Sequence, residues 1–186
     1  MLPLDLQNEL RERYRRLRPS WLPSGELYEA AIRGCLGTEL RMLDLGCGRG
    51  GMPEKLADEL LGIFGVDAHW HSLAGYRDTR VHLCSGESER LPFPTGTFQI
   101  ITAAWLLEHL LAPQATFREI RRVLTPGGYF IFLTPNGYNP LLIAYRLSAW
   151  IPALQRALVP RLYGRMPEDT FPLHYRANTI PTLRKL

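Results

Sequence analysis

Four glycines fall within six residues in the stretch Met42-Leu-Asp-Leu-Gly-Cys-Gly-Arg-Gly-Gly51, and a carboxylate, Asp44, stands two residues ahead of the first of them. Gly46, Gly48 and Gly51 satisfy the spacing G-x-G-x-x-G, a turn whose backbone comes close to a ligand because no Cβ intervenes. A second acid, Asp67, follows Gly46 by 21 residues, and a carboxylate so placed can accept both hydroxyls of a ribose. A glycine turn plus a ribose acid is shared by sites for nicotinamide dinucleotides and for S-adenosylmethionine, so this pair leaves both readings open. Asp44 separates them. A pyrophosphate at a helix N-terminus is anionic, and a carboxylate two residues upstream repels it, whereas the ammonium and sulfonium of S-adenosylmethionine are favoured by nearby negative charge. The plainer reading of Asp44 is a strand-end acid bonded to loop amides.

These residues need a frame that brings them together. Short apolar runs alternate with helical segments: strands at "RMLDLG", "GIFGVDA", "VHLCSG", "FQIITAAW" and "YFIFLTPN", with helices at "MPEKLADELL" and "PQATFREIRRVL", the last stopping at Pro126-Gly127-Gly128. Two further helices precede them, over residues 4–18 and from about Ser24 to Leu36. Near-continuous apolar strands separated by amphipathic helices predict an α/β fold, a Rossmann-like parallel sheet with helices on both faces. Such sheets bind ligands at the carboxyl ends of their strands. Asp44 with the glycine turn, Asp67, Gly86-Glu87-Ser88 and Ala103-Ala104 all lie at predicted strand ends.

Composition narrows the function further. The 186 residues carry 22 basic and 18 acidic side chains, a net charge of +4. The arginines between Arg11 and Arg18 are interleaved with acids, which reads as a solvated helix face, and no nucleic-acid partner is expected. Cys35, Cys47 and Cys84 have no metal-type spacing and read as reduced thiols of a cytoplasmic protein, with no metal site expected. No apolar run approaches the length of a membrane span.

Taken in order, "LDLGCGRG", "GVD", "GESERLPFPTGTFQIITAAWLLEHL" and "REIRRVLTPGGYFIFLTPN" resemble the class I S-adenosylmethionine-dependent methyltransferases, in the small-molecule branch that includes ubiquinone and sugar methyltransferases. The resemblance covers about residues 40–136. It implies a cofactor, S-adenosylmethionine, released as S-adenosylhomocysteine, with Asp44, Gly46 and Gly48 at its methionyl end. It places Asp67 on the ribose, Ala68 beside the adenine, Glu87 of Gly86-Glu87-Ser88 at the adenine amino group, and Ala103 at the methionyl group. This chain has Glu87 where the family usually has Asp. Tyr14, in "YRRLRPSW", is similar to a residue that folds over the cofactor in related enzymes; a surface helix with one aromatic anchor is the alternative. The family's last two strands have no counterpart before the sequence reaches residue 186.

The division expected is an N-terminal helical cap (1–39), a cofactor-binding core (40–136) and a substrate-side helical segment (137–186), within one globular domain. The implied reaction is methyl transfer to a small, partly hydrophobic acceptor at oxygen: a sugar, a lipid-linked molecule or a quinone-like ring. His109, Glu108, His174 and Tyr138 are the candidate bases, of which His109 and His174 are preferred. The apolar 137–176 stretch is read either as a cavity cover, as an interfacial element with Arg146 and Trp150 that touches a membrane surface through 140–165, or as a helical insertion. Two other function classes remain: an NAD(P)-binding oxidoreductase, from the G-x-G-x-x-G match, and a non-catalytic scaffold member of the same fold.

Overall fold

The structure, a computed structural model, describes residues 4–37, 39–140, 142–143 and 172–186. The chain divides into two compact units, Met1–Leu27 with Asn136–Pro172, and Tyr28–Pro135 with Leu173–Leu186.

The second unit is built on five parallel strands: β1 (Arg41–Leu45), β2 (Gly62–Asp67), β3 (Val81–Ser85), β4 (Phe98–Ala104) and β5 (Leu124–Leu133), in the order β3-β2-β1-β4-β5. The chain leaves β1 to one side for β2 and β3, then crosses to the other side for β4. The strand order therefore reverses at β1, and the crevice of a doubly wound sheet opens there.

Side-chain alternation assigns the two faces. On one, Leu43, Leu45, Val66, Ile101 and Ala103 pack with Ile120 and Val123 of the helix α4 (Pro113–Val123) and with the C-terminal Leu183 and Leu186. On the other, Met42, Ile63 and Ile100 pack with Tyr28 and Ile32 of α2 (Ser24–Arg33) and with Leu56. Buried leucines such as Leu43 contribute about 1.5–3 kcal/mol each. Helix α4 buries Pro113, Thr116, Ile120 and Val123, one stripe at helical spacing. Its Arg122 and Glu119 pair with each other and hold the loop before β4: Arg122 donates to the Leu91 and Phe93 carbonyls, and the Leu91 amide donates to Glu119.

Two local expectations are corrected. "MPEKLADELL" forms a 3-10 helix, Pro53–Glu59, rather than an α-helix. The chain must rejoin the sheet at once, with the Leu61 amide donating to the Leu40 carbonyl, and the tighter helix covers more length per residue in few residues. Pro126-Gly127-Gly128 does not terminate α4, which ends at Val123; it lies inside β5. There the pairing slips, from Phe98 opposite Leu124 to Ile100 opposite Tyr129. The outermost strand tolerates the Pro126 that lacks a ladder donor, and Gly127 adopts φ 79° at the irregularity.

The first unit contains α1 (Leu4–Leu17) and the start of α2. Arg15 pairs with Glu12 and with Glu26, and the Tyr14 ring meets Trp21 edge-on at a centroid distance of 4.9 Å.

Candidate functional site

Asp44 and Asp67 share one sheet face, because β1 and β2 pair in parallel with Asp44 opposite Gly65 and both acids fall on the Met42–Ile63 side. Asp44 is 7% exposed. Its Oδ1 accepts a 2.8 Å bond from the Thr102 hydroxyl, which β4 holds directly opposite. Burial is the main force on the Asp44 carboxyl and pushes its pKa up to about 7. The Thr102 bond works against that rise, and the charges of Asp67 and Glu54 add to it.

The glycine turn is anchored on both sides. The Gly46 and Cys47 amides donate to the Val66 carbonyl at 2.8 and 3.1 Å, and the Gly48 amide donates to Asp67 Oδ2 at 2.9 Å. The His69 amide takes Asp67 Oδ1 at 2.8 Å. Each oxygen of Asp67 thus accepts one backbone N–H, so this acid fixes the turn in addition to any contact with a ribose. Cys47 is buried, and its Sγ fills the space over Gly65, where a Cβ would come within 2.8 Å of it. Gly48 has φ 55°, and a Cβ built there meets nothing within 4 Å. The outer side of the turn is therefore an open cradle bordered by acids.

The remaining residues assigned from sequence are placed as follows. Ala68 is exposed, directly after Asp67. The Gly86 amide donates to the Asp67 carbonyl at 3.2 Å, and Glu87 is exposed beside it. The Ser88 hydroxyl is engaged with Thr116 of α4 and with Glu89, each at 3.0 Å. Ala103 is fully buried in the opposite face of the sheet, so only its backbone can reach the Asp44 side; Thr102 and Ala104 face that side instead. Tyr14 lies in the first unit, against Trp21.

His109 ends a 3-10 turn, Leu107–His109, just beyond β4. The backbone amides of His174 and Tyr175 donate to the Glu108 carbonyl at 2.7 and 3.1 Å, so the segments bearing the two candidate bases meet at one residue. The Glu108 side chain is buried and accepts from the Thr134 hydroxyl at 2.9 Å. Asn178 donates in turn to Thr134 Oγ1 at 2.6 Å. Arg146 and Trp150, with most of the 140–165 stretch, lie outside the described residues. Among the described residues no group of three or more His, Cys, Asp or Glu could hold a metal ion, and no helix is long and apolar enough to cross a membrane.

Sequence reasoning missed Thr102, Glu54, Tyr28 and Tyr76. Thr102 carries a faint signal, a hydroxyl at an inward position of the apolar run "FQIITAA". Tyr28 carries none, since its place in the helix pattern is that of a core residue.

A parallel sheet that reverses at β1, with a glycine turn and two strand-end acids at the reversal, defines a cofactor-binding α/β domain of the nucleoside type. The family described as a methyltransferase domain matches residues 43–132, and this stretch is similar to S-adenosylmethionine-dependent methyltransferases. The demethylmenaquinone methyltransferase of Mycolicibacterium gilvum is 30% identical over 122 residues, covering 63% of this chain and 54% of that protein. The ubiquinone biosynthesis O-methyltransferase of Pseudomonas aeruginosa is 30% identical over 110 residues, 54% of this chain and 46% of that one. The crystal structure of an S-adenosylmethionine-dependent methyltransferase from Mesorhizobium loti superposes with a TM-score of 0.51 at 26% identity, covering 57% of this chain and 53% of that one. The chain spans about half the length of the curated relatives it matches.

Proposed function

We propose that the chain binds S-adenosylmethionine across the ends of β1, β2, β3 and β4 and directs its methyl group to the oxygen of a small, partly hydrophobic acceptor. The observation that carries this reading is the joint placement of Asp44 and Asp67 around the open Gly48 turn. The residues fit the cofactor's chemistry. Asp67 has a spare lone pair on each oxygen for ribose hydroxyls. Asp44 supplies negative charge where a pyrophosphate would be repelled and an ammonium held, which disfavours the dinucleotide alternative. Glu87 is assigned to the adenine amino group, with Ala68 alongside, and Gly46, Gly48, Gly86, Ser88 and the Ala103 backbone are assigned to the rest of the cofactor's path. Tyr14 is assigned as the residue that folds over the cofactor.

When bound, S-adenosylmethionine supplies a methyl group on a sulfonium, an electrophile that needs no further activation. The protein's share is to align the acceptor oxygen with that methyl and to take a proton when the acceptor is a hydroxyl. His109 and His174 are the bases assigned, on segments that meet at Glu108 beyond the end of β4. The acceptor side is assigned to residues 137–176, whose apolar sequence suits a quinone-like ring, a lipid-linked molecule or a deoxygenated sugar, with 140–165 as the element that could touch a membrane surface. Two of the relatives are named for quinone methylation, which supports the same acceptor class. The three free cysteines support a cytoplasmic setting.

The test is to incubate the protein with S-adenosylmethionine and a panel of quinol, phenol and deoxysugar acceptors and to measure S-adenosylhomocysteine formation. Turnover with at least one such hydroxyl acceptor is expected, reduced about 100-fold or more in His109→Ala or His174→Ala. Turnover only with amine or carbon acceptors contradicts the oxygen assignment.

A further inference from the structure

Two tryptophans among the described residues are strongly exposed, and their backbones differ. Trp70, 66% exposed, opens the short helix α3 (Trp70–Ala74), where the backbone is ordinary. Trp105, 50% exposed, directly follows β4 and has φ 59°. For a bulky side chain that left-handed backbone is an outlier, and the residue it favours is glycine. Strain of this kind persists only where the surroundings hold it, and it gathers at ligand sites. The surroundings are visible here. The Trp105 amide donates to the Leu133 carbonyl at 2.8 Å, one step past the β4–β5 ladder. The next residue, Leu106, folds onto the glycine turn, so closely that a Cβ on Gly46 would lie 3.0 Å from its Cδ1 and 3.4 Å from its Cβ. Leu107 is then buried in the core.

Packing accounts for Leu106 and Leu107 but not for an indole at 105. Glycine there would make the same turn without strain, and a half-exposed ring gains little from burial. A second aromatic repeats the pattern. Tyr175 has φ 51°, and its amide donates at 3.1 Å to the carbonyl of Glu108, three residues after Trp105. Position fixes what Trp105 can meet. Its neighbour Leu106 touches the turn assigned to the cofactor, and Glu108 and His109 follow within the next turn of chain. An acceptor brought to the cofactor from the β4 end therefore meets the indole. The indole offers a flat face and one N–H. A flat ring stacks on that face, whereas a saturated chain gains only contact area, which a leucine would supply as well.

We infer that Trp105 is a specificity-determining residue for the methyl acceptor, and that it selects a planar aromatic ring over a saturated chain or sugar of similar size. This rests on the reading of the glycine turn as the S-adenosylmethionine site and narrows the acceptor class given for it. The left-handed backbone at 105 leaves the ring exposed while Leu106 turns in onto Gly46.

The experiment uses two probes with one carbon skeleton: 2-naphthol, which is flat, and decahydro-2-naphthol, which is saturated. Each is titrated calorimetrically into protein already saturated with S-adenosylhomocysteine, whose own binding is measured first. The proteins are the wild type, Trp105→Gly and Trp105→Phe. Glycine removes the ring and the strain together, so the melting temperature of that variant should hold. The wild type is expected to bind 2-naphthol about fivefold or more tighter than the saturated alcohol. Trp105→Gly should bind the two within about twofold of each other, and Trp105→Phe should keep most of the preference. A wild type that binds both alcohols equally, or binds neither, overturns the assignment. So does a Trp105→Gly variant that keeps the preference, or a Trp105→Phe variant that loses it. Each of these results leaves the cofactor reading standing when S-adenosylhomocysteine binds. A wild type that does not bind S-adenosylhomocysteine overturns that reading and the role of Trp105 with it.

Discussion

Two buried carboxylates in this domain share a first partner and little else. Asp44 accepts from Thr102 at 2.8 Å, and Glu108 accepts from Thr134 at 2.9 Å. Around Asp44 stand two more acids, Asp67 and Glu54. Around Glu108 the chain closes on itself: Asn178 donates to Thr134 and to the Pro135 carbonyl, and the His174 and Tyr175 amides donate to the Glu108 carbonyl. The first cluster is left short of donors and crowded with negative charge. The second ties the C-terminal segment to the ends of β4 and β5. The same acid–threonine pair thus serves a ligand in one place and chain closure in the other, and what decides is the balance of donors around it.

The sharpest way to break this contrast is Asp44→Asn. It keeps an acceptor for Thr102 and removes the charge, so S-adenosylhomocysteine affinity should fall about 100-fold, the cost of taking one partner from a buried charged contact. Stability should move the other way at high pH. In the wild type the folded pKa of Asp44, about 7, lies above that of an ordinary carboxylate. Its contribution to stability is therefore full below about pH 4 and is lost as pH rises through 7, at about 1.4 kcal/mol per pH unit within that window. The asparagine variant should escape that loss and melt higher than wild type at pH 8. A variant that melts lower and binds normally would make Asp44 a structural acid like Glu108.

A smaller effect is read from pH alone. The site favours ionised Asp44, so wild-type affinity for S-adenosylhomocysteine should weaken as pH falls below about 7, by at most about tenfold per unit. Asp44→Asn should flatten the profile between pH 5.5 and 8. An equally steep profile in that variant would assign the titration to another group.

How far the sequence could be read follows from what each feature depends on. The five strands and the amphipathic α4 were legible because burial imposes a period on the chain. Asp44, Asp67 and the glycine turn were legible because the chemistry demands fixed residue types at fixed spacing. Tyr28 was not, since a helix pattern shows that a residue is buried and cannot show that its hydroxyl ends beside an acid on another element. The face of Ala103 was hidden by the slip in pairing at Gln99: parity cannot be counted through an irregularity that only the β4–β5 register reveals. The same irregularity places Pro126-Gly127-Gly128 within a strand, although those residues read as a helix stop. The second acid's grip on the Gly48 amide was hidden too, because it is a contact between two loops.

The mildest test pairs the two threonines. Thr134→Val removes the hydroxyl that joins Glu108 to Asn178 and should cost about 1–3 kcal/mol of stability, with S-adenosylhomocysteine affinity unchanged. Thr102→Val removes a bond that holds the Asp44 pKa down, so it should shift the pH profile of binding upward and weaken affinity at pH 7. Matching stability losses with no binding effect from either substitution would erase the distinction between the clusters.

The most direct test of the central claim is a titration of S-adenosylhomocysteine into the wild type and into Asp67→Ala. The account predicts one molecule bound per chain by the wild type. In the variant, loss of the ribose acceptor and of the bond that positions Gly48 should weaken affinity by about 1–3 kcal/mol, roughly 5- to 150-fold. Equal affinity in the two proteins, or no binding by the wild type, would contradict it.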